Sequence, residues 1–268
     1  MCQYVLSCSP ATDLDPCRMK ARDIRFLTED YALTGTFLND RNAYRVYFET
    51  FLKEGTDLLH ICQSSGISED FKAAESAARE LMDEYPQCRI TVIDSLCVSA
   101  GYGLLMETLA DMRDFGMEYE VLSSWTEEHK SELHHRLFAT DLRGSVKEDH
   151  RSKAVTMLGT VFGSCSLLSL DAEGELKMCG NVLTKKKAVT RIAELMEEYA
   201  ENGIDYAGKC FLSHSGCPDE AKTTARLIEE KFGRLDGTVP VFEMGPSLSN
   251  RTGNGTVALF FWGSPRGE

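Results

Sequence analysis

Apolar positions along the chain fall into two alternating patterns. Tyr4 to Cys8, Asp57 to Cys62 and Arg89 to Ile93 are short apolar runs, each closed by a polar loop: Ser9-Pro10-Ala11-Thr12-Asp13, Gln63-Ser64-Ser65-Gly66 and Asp94-Ser95. Between the last two, Phe71, Ala74, Ala77, Ala78, Leu81, Met82 and Tyr85 recur every three or four positions, the period of a helix with one buried face. Ser68 is read as its N-cap, with Glu69 and Asp70 in the positive first turn. Gly101 and Gly103 lead into a helix carrying Leu104, Leu105, Thr108, Leu109 and Met112, stopped by Gly116. Trp125 to His135 reads as a further, more polar helix. Strand, loop and helix repeated in this order predict a mainly parallel sheet with helices on its faces.

The second half has another texture. Cys165 to Leu170 and Leu176 to Leu183, joined by Asp171-Ala172-Glu173-Gly174, predict a hairpin. A helix is expected from Lys186, with Val189, Ile192, Ala193, Met196 and Tyr199 on one face. Phe211 and Leu212 sit in a strand, and Pro218 opens a helix reaching Phe232. Val239 to Phe242 and Val257 to Trp262 are late strands. The fold class expected is α/β in two domains, residues 1–132 and 133–268.

Composition narrows the function. A hydrophobic fraction of 43% and a charged fraction of 26% over 268 residues are those of a globular chain. Lys plus Arg number 29 against 42 Asp plus Glu, a net charge of −13 that disfavours nucleic acid and anionic membrane surfaces. The most apolar stretch, Val155 to Leu170, is too short and too often interrupted to span a bilayer. Met1 to Ser7 has no basic region and no long apolar run, so no export signal is read and a cytoplasmic setting is expected. The ten cysteines show no paired metal-ligand spacing, so buried, inert thiols are expected and no metal.

Phosphate motifs are absent. Gly253-Asn254-Gly255-Thr256-Val257-Ala258 satisfies Gly-x-Gly-x-x-Ala but leads into a strand, so no pyrophosphate would meet a helix N-terminus. Gln63-Ser64-Ser65-Gly66 is a better candidate. It lies between a strand's carboxyl end and a helix's start, where open α/β sheets take ligands and free N–H groups favour an anion. His150 lies in a mixed charge run, Arg251 in a polar loop, and Lys185-Lys186-Lys187 at a helix start where the dipole disfavours cations. An enzyme reading is also open: a serine hydrolase with Ser65 as nucleophile, His150 as base and Asp94 as orienter, although Gly-x-Ser-x-Gly is lacking.

Taken together, these segments resemble the DegV family, bacterial two-domain α/β proteins that bind one fatty acid. Ser7-Cys8-Ser9-Pro10-Ala11-Thr12-Asp13-Leu14 is similar to the family's opening Asp-Ser-Thr-Ala-Asp-Leu loop, and Ser64-Ser65-Gly66-Ile67-Ser68 to its double-serine loop. Ile93-Asp94-Ser95-Leu96 with Gly101-Tyr102-Gly103-Leu104-Leu105 resembles its Asp-Ser…Gly-x-Gly-Leu element. Leu158-Gly159-Thr160 and Lys185-Lys186-Lys187-Ala188 resemble parts of its second domain, and Gly245-Pro246 with Thr252-Gly253-Asn254-Gly255-Thr256 its closing His-x-Gly-Pro-Gly segment.

The resemblance implies a carrier without cofactor or catalysis. One long-chain fatty acid would lie in a tunnel near the domain interface, its carboxylate presented to a separate fatty acid kinase. The implied head-group contacts are Ser64, Ser65, His150, Arg251 and Thr252, and the implied kinase-facing basic patch is Arg151, Lys153, Lys185, Lys186 and Lys187. Two departures stand out. The family's Gly-Gly-Arg is Glu148-Asp149-His150 and its closing His is Arg251, so Arg and His have exchanged places. The family's Thr-Ser-Gln loop has no counterpart at Asp40–Arg41. A scaffold with a vestigial pocket is the third reading.

Overall fold

The computed structural model describes residues 4–28, 39–140, 142 and 164–267. In chain order the elements are β1 (Tyr4–Cys8), α1 (Pro16–Ala21), β2 (Arg25–Phe26), α2 (Arg41–Leu52), β3 (Asp57–Cys62), α3 (Asp70–Glu84), β4 (Ile90–Asp94), α4 (Ser99–Asp114) and α5 (Tyr119–His129). There follow β5 (Leu133–Ala139), β6 (Cys165–Leu170), β7 (Leu176–Val182), α6 (Lys185–Tyr199), β8 (Phe211–Ser215), α7 (Pro218–Lys231), β9 (Val241–Glu243), α8 (Pro246–Thr252) and β10 (Thr256–Trp262). The first sheet, β2-β1-β3-β4, is parallel throughout. The second, β7-β6-β5-β10-β8-β9, is antiparallel except between β8 and β9.

Register aligns one edge of this sheet. Cys8 pairs with Ile61 and Cys62 with Asp94, so β1, β3 and β4 end level and their polar loops share one rim. The outer face of this sheet is covered by α2 and α3 through Tyr44, Phe48, Leu52, Ala77 and Leu81. The outer face of the second sheet is covered by α6 and α7 through Ile192, Met196 and Ile228.

Between the sheets lies α4. Leu104, Leu105 and Leu109 share one core with Leu6, Ile61 and Ile93 on one side and Leu137 and Phe260 on the other. Both flanks are covered, so the helix is buried all round from Ser99 to Glu107. Its two glycines face opposite neighbours. A Cβ at Gly101 would come within 2.5 Å of His135 Nε2 and the Phe260 ring, and one at Gly103 within 2.7 Å of the Thr12 carbonyl. Small residues at both positions set the thickness of the sandwich.

Some expectations are corrected. Trp125 to His135 is not one helix: α5 ends at His129 and β5 begins at Leu133. The polar lettering of Leu133-His134-His135-Arg136 misleads because its two histidines are buried in partnered form. His134 Nε2 donates to the Ser264 carbonyl at 2.7 Å and stacks on Phe261, and burial lowers its pKa to about 4. His135 Nε2 accepts the Val98 N–H at 3.1 Å while burial holds the ring neutral. The helix predicted after Gly103 begins earlier, at Ser99, and that predicted from Ser68 is capped by Glu69, with Ser68 Oγ accepting the Asp70 N–H at 3.2 Å. Helices α1, α2 and α8 carry no expectation above; at the loop departure, Asp40 serves as the N-cap of α2 through the Asn42 N–H at 2.9 Å.

Candidate functional site

The rim after β3 is held by its neighbours. Ser64 N–H donates to the Cys97 carbonyl at 2.8 Å, and Ser64 Oγ donates to the Gly174 carbonyl at 2.8 Å while accepting the Gly66 N–H at 3.2 Å. Gly174, at φ 72, lies in the β6–β7 turn, so the second sheet folds a hairpin tip onto the double-serine loop. A Cβ at Gly66 would meet the Gly174 carbonyl at 2.7 Å, so this approach needs a glycine.

Ser65 is placed differently. Its N–H donates to Asp94 Oδ1 at 3.1 Å, and the Leu96 N–H donates to the same oxygen at 3.0 Å. Asp94 therefore clamps two loops by their backbones. The Ser65 hydroxyl is half-buried and has no hydrogen-bond partner among the described residues. Two residues on, the Ile67 carbonyl accepts a hydrogen bond from Arg251 Nη2 at 2.6 Å. Arg251 is exposed near the end of α8, so a cation from the last helix of the chain is seated at the double-serine loop. Thr252 is buried, and its hydroxyl donates to the Leu248 carbonyl at 3.2 Å within the same helix.

The seat of α8 is built from residues the sequence reading did not single out. Asp13, at φ 57 in the loop after β1, accepts the Gly245 N–H at 3.0 Å and the Ser99 hydroxyl. Ser99 Oγ is in turn 2.8 Å from Ser213 Oγ of β8. Desolvation raises Asp13 to about 6, opposed by its hydrogen bonds. Beneath the rim, Ser7 Oγ lies 2.6 Å from His60 Nδ1, and Tyr44 donates to Asp70. Burial lowers His60 to about 3 and raises Asp70. The quoted opening loop contained Asp13, but nothing in its spacing showed a partner more than two hundred residues away.

The remaining candidates divide. His150, Arg151 and Lys153 lie outside the described residues, as does Leu158-Gly159-Thr160. Lys185, Lys186 and Lys187 form the exposed first turn of α6, capped by Thr184, and Lys185 Nζ pairs with Glu220 Oε1 at 2.5 Å. Among the described residues no group of His, Cys, Asp or Glu is arranged to hold a metal. Seven of the nine described cysteines are buried, and Cys17 and Cys179 are exposed. No described helix is long and apolar enough to cross a membrane.

A family profile described as "uncharacterised protein, DegV family" matches residues 22–263. A DegV domain-containing protein of Clostridium perfringens is 29% identical over 220 residues, 82% of this chain and 74% of its own. The solved structure described as fatty acid binding of a DegV family protein from Thermus thermophilus has a TM-score of 0.82 at 18% identity, covering 97% of this chain and 99% of that one. The Fatty Acid Kinase (Fak) B3 protein of Streptococcus pneumoniae, loaded with linoleic acid, has a TM-score of 0.72 at 18% identity, covering 83% and 76%.

Proposed function

The chain belongs to the DegV family, and from that premise we propose that it holds one long-chain fatty acid in a buried tunnel and presents the carboxylate to a separate fatty acid kinase. The observation that carries this reading is the contact of Arg251 with the Ile67 carbonyl, which seats a permanent cation beside the Ser65 hydroxyl's loop. A hydroxyl donor and a guanidinium fix and neutralise a carboxylate. The Thermus thermophilus relative, named for fatty acid binding, and the Streptococcus pneumoniae protein, which carries linoleic acid, support the same ligand class.

In this reading Ser65 and Arg251 touch the carboxylate. Ser64 orders their loop, Thr252 holds the end of α8, and His150 supplies a second, titratable cation. The acyl chain supplies most of the binding. About sixteen carbons at roughly 0.8 kcal/mol per buried CH₂ give a gross transfer term near ~12 kcal/mol before ordering costs. The tunnel lies near the interface of two domains, residues 1–132 and 133–268, and the protein works in the cytoplasm. It is a carrier and not an enzyme, and it needs no cofactor. In the hydrolase reading Asp94 would orient a histidine, yet its Oδ1 receives two backbone N–H groups.

Lys185 to Lys187 would face the kinase, and Arg151 and Lys153, outside the described residues, would serve the same contact. Native mass spectrometry of the purified protein, followed by denaturing extraction, tests the carrier reading. One fatty acid released per chain is expected; a bare protein that also refuses added palmitate and oleate would sink it.

A further inference from the structure

At the far end of β10 from Arg251 lies a cavity. Seven residues of strand, at about 3.3 Å each, separate the two ends by roughly 20 Å. The cavity has a volume of about 720 Å³ and is walled by Trp125 and Trp262. Their ring centroids are 5.7 Å apart and their planes stand at 59°. His129 stacks on Trp125 at 4.6 Å, and its Nδ1 lies 2.9 Å from the Trp125 carbonyl, which fixes that wall.

Apart from the His129 imidazole, the ionisable lining is acidic. Glu132, Glu198 and Glu201 line the cavity, and among the described residues no Lys or Arg does. Glu132 and Glu201 have no ion-pair partner among the described residues, and Glu198 is 3.6 Å from Arg191 on the open surface. An anion would be repelled by these charges. A metal ion is a poor match too, because no described acidic or histidine group converges as a metal site requires. Indole faces instead favour weakly hydrated organic cations, through the ring quadrupole and apolar contact together.

We propose that this cavity binds a small organic ammonium ion, held against the Trp125 and Trp262 indoles and neutralised by Glu132 and Glu201. The site is independent of the fatty acid reading. It would let the protein respond to an amine metabolite at one end of β10 while its other end serves a different ligand.

The chain has its own reporter, since its two tryptophans both line the cavity. The full chain is titrated with choline chloride at constant ionic strength while tryptophan emission is followed. The neutral isostere 3,3-dimethylbutan-1-ol and potassium chloride serve as controls. A saturable change with choline is expected, with the isostere about tenfold weaker. Glu132→Gln should weaken choline about fivefold, and Trp125→Phe should lower the affinity while leaving Trp262 as reporter. Should Glu132→Gln fail to fold, the exposed Glu201→Gln takes its place. A choline response equal to that of the isostere, or undiminished in a folded carboxylate variant, would overturn the proposal.

Discussion

Asp13 Oδ1 accepts the Gly245 N–H at 3.0 Å, so the loop after the first strand holds the N-terminus of the helix that carries Arg251. The contact leaves no room for growth: a Cβ at Gly245 would come within 2.8 Å of that oxygen. Residues at opposite ends of the chain thereby fix where a cation stands over the double-serine loop.

The same contact makes stability depend on pH. Burial raises Asp13 from its usual 3.8 to about 6, so the native carboxyl holds its proton more tightly than the unfolded one. Its contribution is fully present below the unfolded value and is lost as pH rises through about 6, a difference of about 3 kcal/mol at most. Asp13→Asn keeps an amide oxygen for Gly245, tolerates φ 57 and removes the ionisation. Its melting temperature should exceed the parent's at about pH 8 and match it near about pH 4.5. Buried His60, His134 and His135 shift the parent's own stability the other way as pH falls, so the difference between variant and parent is the readout; a difference that is the same at both pH values would show that Asp13 does not titrate in this way.

Arg251→Ala and Ser65→Ala should each weaken fatty acid binding about tenfold, with little change in melting temperature, because both side chains reach solvent. Arg251→Lys, which keeps the charge but loses the fork that reaches Ile67, should fall between Arg251→Ala and the parent. Equilibrium binding of a fluorescent fatty acid checks all three. An unaltered affinity in Arg251→Ala would remove that residue from the head-group site.

Gly101→Ala should destabilise the protein by about 1–3 kcal/mol, since the new methyl group meets His135 and Phe260 inside a packed core. At Gly116, where φ is 90 and no atom lies within 4 Å of the added Cβ, only backbone strain opposes alanine, at about 1 kcal/mol. Urea denaturation compares them. The larger loss at Gly101 is the signature of steric contact with the second sheet.

Lys186→Glu with Lys187→Glu should lower the rate of acyl-phosphate formation by a fatty acid kinase while leaving fatty acid affinity unchanged. Both lysines are exposed in the first turn of α6, where acidic residues suit the helix dipole, so the fold should be no less stable. Lys185 is left in place because it pairs with Glu220. An unchanged kinase rate would remove these lysines from the docking face.

Short-range structure was the legible part. The periodic face of α3, the turn at Gly174 and the ends of β1 and β3 follow from apolar spacing and loop chemistry, which act over a few residues. The strand Leu133–Ala139 did not, because its histidines are polar in isolation and become neutral, partnered core groups only against Ser264, Phe261 and Val98. At the candidate site, Ser64 and Ser65 were visible from their place after a strand. That Ser64 is held by Gly174, or that Arg251 reaches Ile67, depends on how the second sheet docks, and no local pattern encodes docking.

The wedge position of α4 has a consequence for synthesis. One flank of this helix can pack on the first sheet as soon as β1, β3 and β4 exist, but the other waits for β8 and β10, the last strand of the chain. Until the C-terminal segment leaves the ribosome, the nascent first half presents an uncovered row that includes Leu104, Leu105 and Leu109 to the cell. A stop codon before β10 would leave that row open. Such fragments should be cleared by chaperones and proteases, so the gene is inherited as a single folding unit despite its two sheets.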